Sequence, residues 1–267
     1  MTVPTLDGAW NFRDVADAAG VRPGRLFRSS ELSNLQRDGR AELRRLGITD
    51  VADLRSPREV ERRGPGRVPD GVAVHQLPFP DLAADTDGES PHEHAWTRMM
   101  NERPADESVS DAAADYMTEE YRRFPTLPGA QCAVRQVIAL LAASRPVITH
   151  CFAGKDRTGF TVAVVLEAIG VDRDAIVADY LRSNDAVPAL RERILDMMSQ
   201  RAGSAMTPEA ATFAEARLSE DVLGVRAEYL DAARQTIDEK YGSLDGYLRA
   251  AEVSAEDIEA LRTALLR

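Results

Sequence analysis

PVITHCFAGKDRTGFTVAVVLEAIG, residues 146–170, is the stretch that decides how the chain is read. PVIT is short, apolar and β-branched, as a buried strand requires. TGFTVAVVLEAIG, from Thr158, is an apolar helix closed by Gly170. The polar loop between them sits at the carboxyl end of a strand, where open α/β sheets bind ligands. That loop also holds a compositional oddity. The chain has 2 cysteines, and of its 33 basic residues only Lys155 and Lys240 are lysine. One residue of each scarce type, Cys151 and Lys155, falls within the same short loop.

Working outward, RLFRSS (25–30), ITDVADLR (48–55) and GVAVHQLPF (71–79) carry strand patterns. QRDGRAELRRLG (36–47) is a helix with Gly47 at its C-cap. SPREV opens another, with Ser56 as N-cap and Pro57 at the first position. GAQCAVRQVIALLAAS (129–144) has Val134, Val137, Ile138 and Leu141 at helical spacing. The final third reads as helices over Asp172–Ser183, Val187–Gln200, a third opened by Thr207-Pro208, Val222–Tyr241, and a last one capped by Ser254. Strands alternating with helices, then a helical tail, predict an α/β fold: a mainly parallel central sheet flanked by helices, with a helical C-terminal third. Segment 81–110, acidic and broken by Pro and Gly, reads as a mobile loop excursion within a single domain over 1–267.

Composition narrows the function. Hydrophobic residues at 44% and charged residues at 29% are those of a soluble globular chain. A net charge of −11 argues against nucleic acid as partner, so an anionic ligand must be caught by local groups. No apolar run reaches membrane-spanning length. The N-terminus MTVPTLDGAWNFRD shows neither a basic nor an apolar signal region, which makes the cytoplasm the expected compartment. Two cysteines are too few for a disulfide scaffold, and a Cys132–Cys151 bridge is disfavoured by Cys132 lying on a helix before the active strand. His92 and His94, in PHEH, have poor spacing for metal ligation, and no cofactor is expected.

The loop's chemistry follows from its residue types. Successive N–H groups ending at a helix N-terminus form an anion cradle, and Gly154 lets the backbone approach the anion closely. Phe152, Ala153, Gly154 and Lys155 supply that cradle. A thiol placed there is stabilised as the thiolate by the helix terminus and nearby cations, making Cys151 a nucleophile. Arg157 offers a fork for the charge of a phosphoryl group in flight. Thr158 has a hydroxyl for the sulfur as it leaves, and His150 orders the loop through the backbone.

The pattern C-x5-R-[ST] resembles the signature of the cysteine-dependent tyrosine phosphatases and their dual-specificity and lipid-phosphatase relatives. NFRDV (11–15), LFRSSEL (26–32), DLRSPREV, HCFAGKDRTG, DYLRSN (179–184) and the YGSLDGYL tail extend the likeness to a bacterial branch over nearly the whole chain. The resemblance implies the cysteine-phosphatase fold and a two-helix lid over the site, which falls on 186–218. It also implies no metal, and phosphoprotein and phosphoinositide substrates, with transient contact at a membrane surface. Export without a readable signal, as a secreted effector, is implied in the same way.

Such chemistry needs a carboxylic acid to protonate the leaving oxygen. Three aspartates compete. Asp156 lies in the loop beside the bound anion, Asp81 follows a strand at the start of the excursion, and Asp53 ends a buried strand and suits pairing with Arg55 better. The resemblance points to Asp156 and Asp81, in that order. Lys155 is a compact ammonium in an arginine-dominated chain, and phosphoinositide phosphatases of the superfamily also carry loop lysine. Phe79 and Phe152 are the aromatics nearest the loop and are expected to line the substrate slot. Leu190, Ile194, Leu195, Met197, Met198 and Phe213 read as core or as the inner face of the lid. A phosphate-binding module without turnover, or thiol transfer chemistry, remains as an alternative. The first has no need of a thiolate, and the second leaves the spacing to Arg157 unexplained.

Overall fold

The computed structural model describes residues 6–79, 109–202 and 218–266. Asp81, His92, His94, Phe213, the helix opened by Thr207-Pro208 and nearly all of the 81–110 excursion lie outside them.

Five strands form one sheet: β1 (Arg13–Asp14), β2 (Leu26–Ser29), β3 (Asp50–Asp53), β4 (Ala73–Gln76) and β5 (Val147–His150). Their order is β1-β2-β5-β3-β4, and every pair is parallel except β1 with β2. The central β5 is buried along its whole length, as befits a strand paired on both sides and covered on both faces. Its last residue is in register with the last of both neighbours: His150 faces Ser29 of β2 and Asp53 of β3. The residues that follow these three strands therefore gather at one carboxyl edge, the place the sequence reading assigned to the ligand.

Side chains alternate across the sheet and separate two apolar layers. Leu26, Ala52 and Val147 enter the large core, and Phe27, Val51 and Ile148 enter a smaller one with Leu32, Leu35 and Leu43. On the smaller side runs α2 (Arg37–Arg45). In the large core pack α5 (Pro128–Ala142) and α6 (Asp156–Ala168), with α4 (Val109–Arg123) before them. The helices α3 (Pro57–Arg63), α7 (Arg173–Leu181) and α8 (Val187–Ala202) carry residues that reach the site, and the short α1 (Ala16–Ala19) packs in the large core. The chain closes with α9 (Glu220–Leu223), α10 (Ala227–Tyr241), α11 (Leu244–Ala250) and α12 (Ala255–Leu266).

Several elements differ from the sequence reading. The active helix starts at Asp156, two residues earlier than Thr158, because the loop residues enter the first helical turn. The helix expected over Val222–Tyr241 is broken: Gly224 ends α9 in an extended conformation, and Asn184 brackets Val225 through Nδ2 to its carbonyl and Oδ1 from its N–H. Strand β1 and helices α1, α4 and α11 fell outside the segments read as strand or helix in the sequence.

Candidate active site

Cys151 leaves the end of β5 and opens a loop that enters α6 at Asp156. The loop is shaped from its outer side. Its Phe152 carbonyl accepts from the Glu31 N–H at 2.9 Å. The Ala153 and Gly154 carbonyls accept from Asn11 Nδ2 at 3.0 and 3.1 Å. The Gly154 and Lys155 carbonyls accept from Arg28 Nη2 at 2.8 and 3.3 Å. In a trans peptide the following N–H points the opposite way, so outward carbonyls turn the loop amides inward. Gly154 is required here: its φ is +67°, and a Cβ would lie 2.1 Å from the Ser29 carbonyl oxygen. No side chain caps α6, leaving its first-turn N–H groups open to an anion.

Arg157, in the first turn of α6, is 1% exposed and rigidly held. Its Nη1 and Nη2 donate to Glu59 Oε2 and Oε1 at 2.7 and 2.8 Å, and Nη1 reaches the Leu54 carbonyl at 3.3 Å. Glu59 is itself fixed by a capping box on α3. It accepts from the Ser56 N–H at 2.8 Å while its own N–H donates to Ser56 Oγ at 3.1 Å. Burial would raise the Glu59 carboxyl, but the Arg157 charge and its hydrogen bonds hold it down to about 2. Burial opposes the Arg157 charge in turn, and Glu59, then Cys151 and Asp156, raise it above its ordinary value. Because Glu59 occupies the end-on pair of N–H groups, the side-on pair from Nε and Nη2 is the fork left for a phosphoryl group.

The other sequence candidates divide into those gathered at the loop and those elsewhere. His150 donates from Nδ1 to the Cys151 carbonyl at 3.1 Å, the carbonyl being able only to accept. Burial lowers its pKa against the pull of Asp53, so the ring is neutral. Thr158 is fully buried, and its hydroxyl has no hydrogen-bond partner among the described residues. Asp156 is 1% exposed and accepts from Tyr121 Oη at 3.2 Å, and Tyr121 accepts from Tyr180 Oη at 2.6 Å. Burial, then the neighbouring Tyr180 and Asp156, raise the Tyr121 pKa, keeping it a donor. Lys155 sends Nζ to the carbonyls of Leu223 and Gly224 at 2.6 and 3.3 Å, with Asp156 Oδ1 3.6 Å away. The break between α9 and α10 is what exposes those carbonyls to it.

Asp53 belongs to a different assembly. It holds Arg55 through both oxygens, at 2.9 and 2.7 Å, and stands 3.7 Å from His150 Nε2. Burial is overcome by His150 and Arg55, and its carboxyl sits at about 2. Phe79 is likewise away from the loop's apolar rim. It packs edge-on against Phe124 and Phe160 in the large core. Phe152 instead joins Ala153, Val187, Leu190, Ile194, Leu218 and Leu223 in a separate cluster, with Trp10 edge-on at 6.0 Å and the Arg63 guanidinium 3.9 Å over its ring. Helix α8 therefore lies on the loop, and Cys151, Lys155, Asp156 and Arg157 are all 2% exposed or less. Cys132 is exposed, and both cysteines are free thiols.

Sequence reasoning missed Glu59, Glu31, Asn11, Arg28 and Tyr121. Glu59 was within reach, because S-P-R-E after a strand is a capping-box signature. The others contact the loop across long sequence separations that no local pattern announces.

Among the described residues, no group of three or more His, Cys, Asp or Glu is placed to hold a metal ion, and no helix is long and apolar enough to cross a membrane. A family profile described as the tyrosine phosphatase family matches residues 4–267. The chain is similar to the triple specificity protein phosphatase PtpB of Mycobacterium tuberculosis, with 64% identity over 275 residues covering all of both chains. It is 33% identical over 251 residues to a Cupriavidus necator protein provisionally named as a tyrosine-protein phosphatase, covering 92% of this chain and 82% of the relative. A tyrosine-protein phosphatase of Nostoc commune is 25% identical over 252 residues, which cover 93% of this chain and 76% of that one.

Proposed function

The chain belongs to the tyrosine phosphatase family, whose members are enzymes that hydrolyse phosphotyrosine, and from that premise we propose a route through phosphocysteine. The Cys151 thiolate attacks phosphorus and forms the S–P bond as the P–O bond to the leaving group breaks. Asp156 gives its proton to the departing oxygen, with Asp81 as the alternative donor. Water then attacks phosphorus, the same carboxylate takes its proton, and inorganic phosphate leaves Cys151 as it was. Inward amides and the open fork of Arg157 hold the equatorial oxygens through both steps. Thr158 brings its hydroxyl to the sulfur when sulfur is the leaving group. The observation that carries this reading is Arg157, one loop beyond Cys151 and locked by Glu59 with its side-on pair to spare.

Phosphoserine, phosphothreonine and phosphoinositides join the substrate range on the strength of the mycobacterial relative, whose name claims three specificities, and of Lys155. An inositide phosphate would take Lys155 Nζ from the Leu223 and Gly224 carbonyls, at a membrane surface touched only in passing. With the catalytic groups buried under α8, that helix serves as part of the lid that opens for substrate, the rest of the expected lid, 203–217, lying outside the described residues. The test is phosphate release by wild type and Cys151→Ser from a phosphotyrosine peptide, a phosphoserine peptide and a phosphoinositide, with no metal added. Activity on phosphotyrosine that disappears in the variant is expected. Release that persists in Cys151→Ser overturns the phosphocysteine route. Cell fractionation decides between a cytoplasmic and an exported enzyme.

A further inference from the structure

Three motifs that the mechanism leaves unused, NFRDV, LFRSSEL and DYLRSN, converge on the back of the phosphate loop. We infer that Asn11 and Arg28 are positioning residues for phosphoryl transfer, a clamp on the loop's outer face held in place by Arg13, Asp179 and Ser183. The inference rests on the function proposed above and extends it to residues outside the signature loop.

The clamp is a network of largely buried hydrogen bonds. Asp179 accepts from Arg13 Nε at 2.8 Å on one oxygen and from Arg28 Nη1 at 2.6 Å on the other. Arg13 Nη2 also reaches the Asp179 carbonyl at 2.7 Å, and both guanidinium groups touch Ser183 Oγ, at 3.3 and 3.2 Å. Arg13 Nη1 donates to Asn11 Oδ1 at 2.5 Å. That bond settles the Asn11 amide: its oxygen faces the guanidinium, so Nδ2 faces the loop carbonyls. Arg13, Arg28 and Asp179 are each 4% exposed or less.

Two guanidinium groups share one carboxylate here, which is an unfavourable arrangement for mere packing. Burial and the neighbouring Arg28 push Arg13 down to about 10. Apolar side chains of similar volume would fill such a site at lower cost. What the Arg28 guanidinium does find is the negative end of successive loop peptides, the carbonyls of Gly154 and Lys155, while the Asn11 amide holds those of Ala153 and Gly154. Each carbonyl so held fixes a peptide plane, and with it the direction of the next N–H toward the phosphoryl oxygens. The clamp therefore acts where charge develops in the transition state, more than on ground-state binding.

Asn11 offers a clean test because its φ is +53°. Asn11→Gly removes all three side-chain hydrogen bonds, two to the loop and one from Arg13, while keeping that backbone accessible. Arg28→Lys keeps the charge but replaces a fork with a point donor. Both are compared with wild type by thermal unfolding, by kcat and KM for p-nitrophenyl phosphate, and by calorimetric binding of orthovanadate and of inorganic phosphate. Asn11→Gly is expected to unfold within a few degrees of wild type, lose about tenfold or more in kcat with KM changed less than about threefold, and weaken vanadate far more than phosphate. Unchanged kcat and vanadate affinity overturn the inference. So does an equal weakening of vanadate and phosphate that follows the loss of thermal stability. If Arg28→Lys does not fold, Asn11→Gly decides alone. Should wild type bind vanadate without releasing phosphate, the proposed function fails, and the two binding measurements still judge the clamp.

Discussion

Arg157 can serve a phosphoryl group only because Glu59 holds it, since a guanidinium 1% exposed has no water to orient it. Glu59→Gln leaves that charge buried with only the Leu54 carbonyl and one amide oxygen as acceptors among the described residues. Removing one partner of a buried pair typically costs about 3–5 kcal/mol. Urea unfolding of Glu59→Gln is expected to show a loss of that size, with kcat falling more than KM rises. A stable variant with normal turnover would mean that Arg157 is positioned by something else. Asp156 is judged by chemistry. Asp156→Asn should slow turnover of substrates with poor leaving groups far more than that of p-nitrophenyl phosphate, whose phenolate needs no proton. Equal slowing of both removes Asp156 as the acid and brings Asp81 forward. At this scale the sequence put forward the proposed reacting groups and hid the residues that hold them. Cys151, Arg157, Asp156 and Thr158 are adjacent in the chain, whereas Glu59, Asn11 and Arg28 approach them from almost 100 residues away or more.

Helix α6 is fixed against α7 through a glycine. A Cβ at Gly159 would stand 2.7 Å from Tyr180 Cε2, and that ring is pinned by its hydrogen bond to Tyr121. Gly159→Ala should therefore destabilise the fold by about 1–3 kcal/mol and disturb the Tyr180–Tyr121–Asp156 chain, read as a drop in Tm together with kcat. A neutral result would show that Tyr180 yields freely. On the other side of the loop, Leu190 and Ile194 of α8 pack with Phe152. Leu190→Ala should speed alkylation of Cys151 by iodoacetamide several-fold, and an unchanged rate would mean that α8 does not gate the thiol. Element types were legible because β5 opens on Val147-Ile148, α6 is apolar from Phe160 to Leu166 but for Thr161, and α3 carries its cap in its own sequence. The break before α10 was not. Gly224 inside a helical pattern is a weak signal, and what breaks the helix is Asn184, brought in by the fold.

Across the whole molecule, the carboxyl edge of the sheet is tied together by buried carboxylates each clasping arginine: Glu59 with Arg157, Asp53 with Arg55, Asp179 with Arg13 and Arg28. That architecture has a pH signature whose sign can be worked out. Glu59 and Asp53 titrate at about 2 in the fold against ordinary values of 4.5 and 3.8, and Asp179 is lowered as well, burial being overcome by the arginine partners and, at Asp53, first by His150. The unfolded chain thus binds more protons than the folded one as pH falls below about 4.5. The stabilisation is complete above that pH and disappears toward about pH 2, with Glu59 alone contributing about 3 kcal/mol. His150 acts in the same direction higher up. Burial holds its pKa below 6.5, so the unfolded ring gains a proton first and stability begins to fall below that value. Thermal unfolding across pH is therefore expected to show a plateau above about 7, a shallow decline from 6.5, and a steep one beginning near 4.5. In His150→Asn the shallow part should vanish while the steep part stays. A Tm that is flat from pH 7 to pH 4 would mean that the buried ion pairs, and with them the held arginine of the site, do not organise the fold's stability.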